Sequence, residues 1–273
     1  MLETRVGAGG VDLEVLRRGP ESAPSVLFLH DLDYLNAVDY PFLAGLARAW
    51  QVVAPSHPGF GHSSLPATFD AIDDLAYTYL DVLRHSGPAH VVGAGFGGWI
   101  AAEMAIRCTH DLRSLVLVDA LGIKVGDRTT TDIHDMFVVS PDELLGMCWH
   151  DASLGARLMP LPDARFDEDT LSVLLSNRRT AALVGWNPFM HSPKLLGRLA
   201  RIDCPTLVVW GDSDGLVSPA YGRAYAEAIP GARFELIREA GHYPYLEQPE
   251  RFLAVLEPFL HQPTPSPSGR GRG

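Results

Sequence analysis

The sequence predicts an α/β fold, a doubly wound and mostly parallel sheet with a helical insertion, on two observations. Short continuous apolar runs recur with longer amphipathic stretches between them, the pattern of strands buried on both faces and joined by crossover helices. That alternation stops between Gly122 and Arg198 and then resumes.

Residues 1–19 read as a hairpin, because an alternating run carrying Leu13, Val15 and Arg17 follows the turn signal Ala8-Gly9-Gly10. The buried strands are expected at Val26-Leu27-Phe28-Leu29, Gln51-Val52-Val53-Ala54, His90-Val91-Val92, Leu115-Val116-Leu117-Val118 and Thr206-Leu207-Val208-Val209-Trp210. Helices are expected at about 39–49, 70–86, 96–108, 218–229 and 249–261. Residues 122–198 show helical segments rich in Met147, Trp149, Leu158, Leu174, Leu175, Trp186 and Met190 and no convincing strand, and are read as a cap whose apolar residues roof a pocket. The core is then 1–121 with 199–261, and the Pro, Ser and Gly-rich tail 262–273 is expected to be disordered.

The chain has 22 Lys and Arg against 33 Asp and Glu, a formal charge of −11, which repels nucleic acid and anionic membrane surfaces. A small-molecule substrate is the expected partner, and oligomeric state is left open. The N-terminus lacks an apolar leader and no later stretch is long and apolar enough to cross a bilayer, so a cytoplasmic location is expected. Cys108, Cys148 and Cys204 are widely spaced and read as reduced thiols. His134, His150 and His191 are scattered without ligand spacing, so neither a metal nor another cofactor is expected.

The run Val91-Val92-Gly93-Ala94-Gly95-Phe96-Gly97-Gly98-Trp99 passes from strand through a sharp turn into a helix. It has the form G-x-S-x-G with glycine at the centre. Leu207 to Asp214 places Asp214 after a strand, and Ala240-Gly241-His242 offers a histidine in a loop further on. Phe28-Leu29-His30-Asp31 and Ser56-His57-Pro58-Gly59-Phe60-Gly61-His62-Ser63 complete an ordered set. Over about residues 11–260 the chain resembles the α/β-hydrolase superfamily, in its esterase and C–C bond hydrolase branch. The rival is a dinucleotide loop, since Gly93, Gly95 and Gly98 satisfy G-x-G-x-x-G and Asp119 follows at a strand end. Against it, the loop lies after several strands, and the other motifs stay unexplained.

The resemblance implies Asp214 and His242 as catalytic acid and histidine, Gly95 at the nucleophile position, and the N–H groups of Phe96 and Leu32 as oxyanion donors. Asp119 is a reserve acid. Gly95 has no oxygen to attack with, which excludes efficient covalent catalysis through residue 95. Ser63, Ser64 and Cys108 are not placed to substitute. Asp31 stands where the family usually has glycine: an ionised carboxylate beside the oxyanion hole opposes the charge that acyl transfer develops there, and the other reading is that Asp31 faces solvent and only its backbone matters. The space left by the absent side chain is expected to hold a water that His242 activates; alternatively His242 takes a proton from a substrate. A ligand-binding protein without catalysis, and a serine-to-glycine change in an active hydrolase, remain as other readings.

Overall fold

The computed structural model describes residues 4–8, 10–32, 40–159 and 167–263. Most of the tail, and Gly9 of the first turn, lie outside the described residues. An eight-stranded sheet runs in the order β1-β2-β4-β3-β5-β6-β7-β8. The strands are β1 (Thr4–Ala8), β2 (Val11–Arg18), β3 (Ser25–Leu29), β4 (Gln51–Pro55), β5 (Ala89–Ala94), β6 (Leu112–Val118), β7 (Thr206–Gly211) and β8 (Arg233–Ile237). The hairpin β1–β2 and the pair β2–β4 are antiparallel, and every other pairing is parallel.

The apolar runs are central strands because helices cover both faces: every residue of β5 and of β7 is buried. Helices α1 (Pro41–Leu46), α2 (Ile72–Ser86), α3 (Gly95–Arg107), α7 (Pro219–Ala228) and α9 (Pro249–Leu260) lie where periodicity places them. The strand β8 has no continuous apolar run, since Arg233 and Glu235 alternate with Phe234 and Leu236. It pairs on one side only, with β7, so it escapes a search for strands buried on both faces.

Between β6 and β7 the described residues form α4 (Pro141–Cys148), α5 (Ala152–Leu158) and α6 (Glu168–Gly185), with an isolated bridge from Gly122 to His191. Trp149 and Met190 are buried there, whereas Leu175 is 68% and Trp186 53% exposed, so those two face away from any pocket below. The helix α4 is started by a capping box in which Ser140 and Glu143 exchange side-chain to backbone hydrogen bonds. No helix among the described residues is long and apolar enough to cross a membrane.

Candidate active site

Sheet register brings the predicted residues together. Leu29 of β3 is paired with Gly93 of β5, so two residues further along each chain Asp31 lies beside Gly95 at the carboxyl ends. Ala94 pairs with Val118 of β6, which sets Asp119 alongside the same turn. The loops after β7 and β8 supply Asp214 and His242. Convergence at the carboxyl ends is where ligands gather in such sheets.

Gly95 has φ +50° and opens α3 directly after the extended Ala94, giving the strand-turn-helix elbow its sharp bend. His242 Nδ1 donates to Asp214 Oδ2 over 2.8 Å. Asp214 Oδ1 accepts the backbone N–H groups of Leu216 and Val217 at 2.9 and 3.1 Å, which locks the carboxylate. The backbone N–H of His242 donates to the Cys148 carbonyl at 2.7 Å, and that of Gly215 to Met147 at 2.8 Å, so the end of α4 closes over both the histidine and the acid loop.

Of the two readings of Asp31 the solvent-facing one is overturned: the residue is buried, with its carboxylate in the centre of the site. The reason is space: a Cβ on Gly95 would lie 2.7 Å from Asp31 Oδ2 and closer still to Oδ1 and Cγ. The carboxylate fills the volume in which a side chain at 95 would begin, so the water expected there is displaced by protein. Asp31 Oδ1 accepts the Phe96 N–H at 2.7 Å, and the Leu32 N–H also faces the carboxylate. Both donors implied for an oxyanion are therefore turned on a group of this chain. Asp31 Oδ2 stands 3.5 Å from His242 Nε2, a charge contact without hydrogen-bond alignment.

The electrostatics follow. Burial pulls the Asp31 carboxyl upward, but the His242 ring and then the two backbone N–H groups outweigh it and leave it below the usual carboxylate range. Burial opposes charge on His242, and Asp214 and Asp31 on its two sides outweigh that, raising its pKa well above the ordinary value. Burial and then the charge of Asp214 push the Asp119 carboxyl well above its ordinary range and favour its acid form, with Oδ1 accepting the Gly211 N–H at 2.9 Å. Asp119 adopts φ +44°, an uncommon conformation for a residue with a side chain. Asp119, Asp214 and His242 offer donor atoms within 4.8 Å of one another. The Nδ1 of His242 and Oδ2 of Asp214 are already spent on each other.

The remaining candidates lie elsewhere. Ser63 Oγ donates to the Ser56 carbonyl and accepts from the Glu14 N–H, and Ser64 Oγ accepts from the Asp12 N–H, so both tie a loop to β2. Cys108 caps the far end of α3. Burial pushes the Cys148 thiol up to about 12, which removes it as a nucleophile. A dinucleotide does not fit: Asp31 already holds the Phe96 N–H at the start of α3, and Asp119 is fully buried. Asp31 stands out in the sequence as a departure beside the oxyanion hole; that its carboxylate occupies the place of a side chain at 95 follows from the pairing of β3 with β5, which sets residues 31 and 95 side by side.

Residues 26–255 match the model of the alpha/beta hydrolase family. The chain is 30% identical over 267 residues to the dihydrolipoyllysine-residue acetyltransferase component of an acetoin cleaving system from Cupriavidus necator, covering 92% of this chain and 67% of that one. It spans only 12% of a polyketide synthase from Burkholderia thailandensis to which it is 28% identical. A pimeloyl-[acyl-carrier protein] methyl ester esterase from Aeromonas hydrophila is 25% identical over 244 residues, 87% of this chain and 95% of the esterase. Among solved structures, a meta-cleavage product hydrolase from Pseudomonas fluorescens IP01 superposes with a TM-score of 0.74 at 22% identity, covering 94% of this chain and 97% of the hydrolase.

Proposed function

Since this chain belongs to the alpha/beta hydrolase family, we propose that it is an enzyme that uses His242, held by Asp214, as a general base on a small, largely apolar ester or C–C bond substrate. The observation that carries this reading is the 2.8 Å bond between His242 Nδ1 and Asp214 Oδ2 in a buried site that has no side chain at residue 95. The acid fixes the ring orientation with Nε2 turned into the site, and because Asp214 and Asp31 together favour the proton on the ring, His242 becomes a base once a substrate draws the Asp31 carboxylate away from it. Residues 122–198 act as the cap, and their contact with the histidine loop through Cys148 excludes water from the reacting centre. No cofactor enters the scheme.

An acyl substrate needs the Phe96 N–H for its developing oxyanion, so Asp31 must first release it. That observation favours a second reading, in which the pocket binds its ligand without hydrolysis. A panel of p-nitrophenyl esters of increasing chain length separates the two. Turnover that disappears in His242→Ala supports the enzyme; saturable binding of the same esters with no His242-dependent turnover supports the binder.

A further inference from the structure

We propose that the cavity at the start of β3, β4 and β5, at the opposite end of the sheet from the catalytic loops, is a binding site for a short-chain monocarboxylate, with the carboxylate on Arg17 and the alkyl chain between the sheet and the end of α2. This site lies outside the function proposed above and does not rest on it.

Strand pairing builds the floor. Arg17 of β2 lies opposite Val53 of β4, and Val53 lies beside Leu27 of β3, so the three side chains share one face of the sheet. Two residues earlier on the same face, Ser25 and Gln51 pair as the first residues of β3 and β4. Val82 and Leu83 near the end of α2 form the opposite wall, and the cavity between them has a volume of about 250 Å³. Leu27 and Leu83 are buried whereas Arg17 is exposed, so the space runs from a charged mouth to an apolar floor. Ala89, which opens β5, lines it as well. Gly95 follows at the far end of that strand, about 20 Å away at the usual rise per residue, so the two sites are separate.

The polar groups at the mouth select the head of the ligand. No ion pair or hydrogen bond among the described residues uses the Arg17 guanidinium, so its planar fork of donors is open to a carboxylate. Ser25 Oγ donates to Gln51 Oε1 at 2.8 Å, which commits the amide oxygen and leaves the NH2 group as a second donor. His85 Nδ1 and Ser86 Oγ, at the same rim, already donate to the carbonyls of Asp81 and Val82 at 2.7 and 2.8 Å, so Arg17 and Gln51 set the position of the anion. The end of α2 contributes about half a negative charge, which the full charge of Arg17 outweighs and which directs the anion toward β2. One cation does not meet the charge of a polyphosphate. Behind these donors the walls are aliphatic and suit an unbranched chain. At about 30 Å³ for each water-sized group the cavity takes about eight, the number of non-hydrogen atoms in hexanoate.

The test titrates the full chain, labelled with nitrogen-15, with acetate, butyrate, hexanoate, decanoate and hexan-1-ol, reading the site from nuclear magnetic resonance shifts and the affinity from calorimetry. The expected result is saturable binding of a single equivalent of hexanoate, with shifts at Gln51, Leu83 and Ala89 and none at Phe96. Affinity should rise by about fourfold for each methylene from butyrate to hexanoate, as apolar burial dictates, and gain nothing further with decanoate, whose chain outgrows the cavity. Arg17→Gln, with its near-ultraviolet circular dichroism unchanged, should weaken hexanoate by about tenfold or more, and hexan-1-ol should bind the wild type as weakly as hexanoate binds that variant. Binding that does not saturate at millimolar hexanoate, an equal affinity in Arg17→Gln, or shifts confined to Phe96 and His242 overturns the proposal. The last of these places the carboxylate in the catalytic site and leaves the function proposed above standing.

Discussion

Gly95 and Asp31 depart from the family's motifs in two different loops, and in the folded chain they form one arrangement, the missing side chain making room for the added carboxylate. Restoring serine at 95 alone therefore places its Cβ on Asp31 and imposes φ +50° on a residue with a side chain. Gly95→Ser should lower stability by about 1–3 kcal/mol, the usual range for overpacking and for backbone strain, as read from chemical denaturation. Combined with Asp31→Gly it should regain a His242-dependent burst on p-nitrophenyl esters; a burst from the single variant would show that Asp31 moves aside easily. The charge on Asp31 also bears on His242. In Asp31→Asn the second flanking carboxylate is lost while Asp214 stays, so the His242 pKa should fall relative to the wild type. A nuclear magnetic resonance titration of the ring checks it, and an unchanged value would mean that the 3.5 Å contact carries little energy.

At the scale of elements, the loop that carries Asp31 is held by two stacked histidines with centroids 4.1 Å apart. His57 Nε2 donates to the His30 carbonyl at 2.8 Å, which leaves Nδ1 to accept the Tyr79 hydroxyl at 2.7 Å, and burial keeps this ring neutral. Tyr79→Phe strands the buried Nδ1 and should cost about 1–3 kcal/mol in chemical denaturation. The family's motifs alone do not account for this network, because it depends on α2 reaching the loop after β4, a contact that periodicity does not encode. The five central strands, the elbow, Asp214 and His242 are legible in the sequence because buried parallel strands and tight turns leave strong local patterns, whereas the order of the strands in the sheet is not. Which of the two readings of Asp31 holds is decided by free volume at Gly95, which appears only when β3 and β5 are paired. The hold of α4 on the histidine loop was equally hidden. A Cβ on Gly241 would lie 2.9 Å from Trp149 Cα and closer to the Cys148 carbonyl. Gly241→Ala should accordingly break the His242 N–H bond to Cys148 and reduce kcat/KM by about tenfold or more in the ester assay, since small misplacements of a catalytic group are costly.

Across the whole molecule, the buried ionisable groups of the site join loops from four strands, so their protonation is tied to global stability. The signs differ from group to group. His242 has a raised pKa, so its contribution is complete below its unfolded value of about 6.5 and is lost as pH rises through the folded value. Asp119 is also raised, and its contribution declines above an unfolded value of about 3.9. Asp31 is lowered, so it stabilises above that same value and ceases to as pH falls through its folded pKa. Two of the three therefore oppose alkali, and the Tm of the wild type should fall between pH 6.5 and 9, in addition to any effect of the formal charge of −11. Asp119→Asn keeps an acceptor for the Gly211 N–H and has no proton to lose. Its Tm relative to the wild type should therefore rise with pH from about 4 up to the raised pKa of Asp119. Differential scanning calorimetry across that range decides it: a constant offset between the two proteins would mean that Asp119 is ionised in the fold, and that the proton assigned to it lies elsewhere in the cluster.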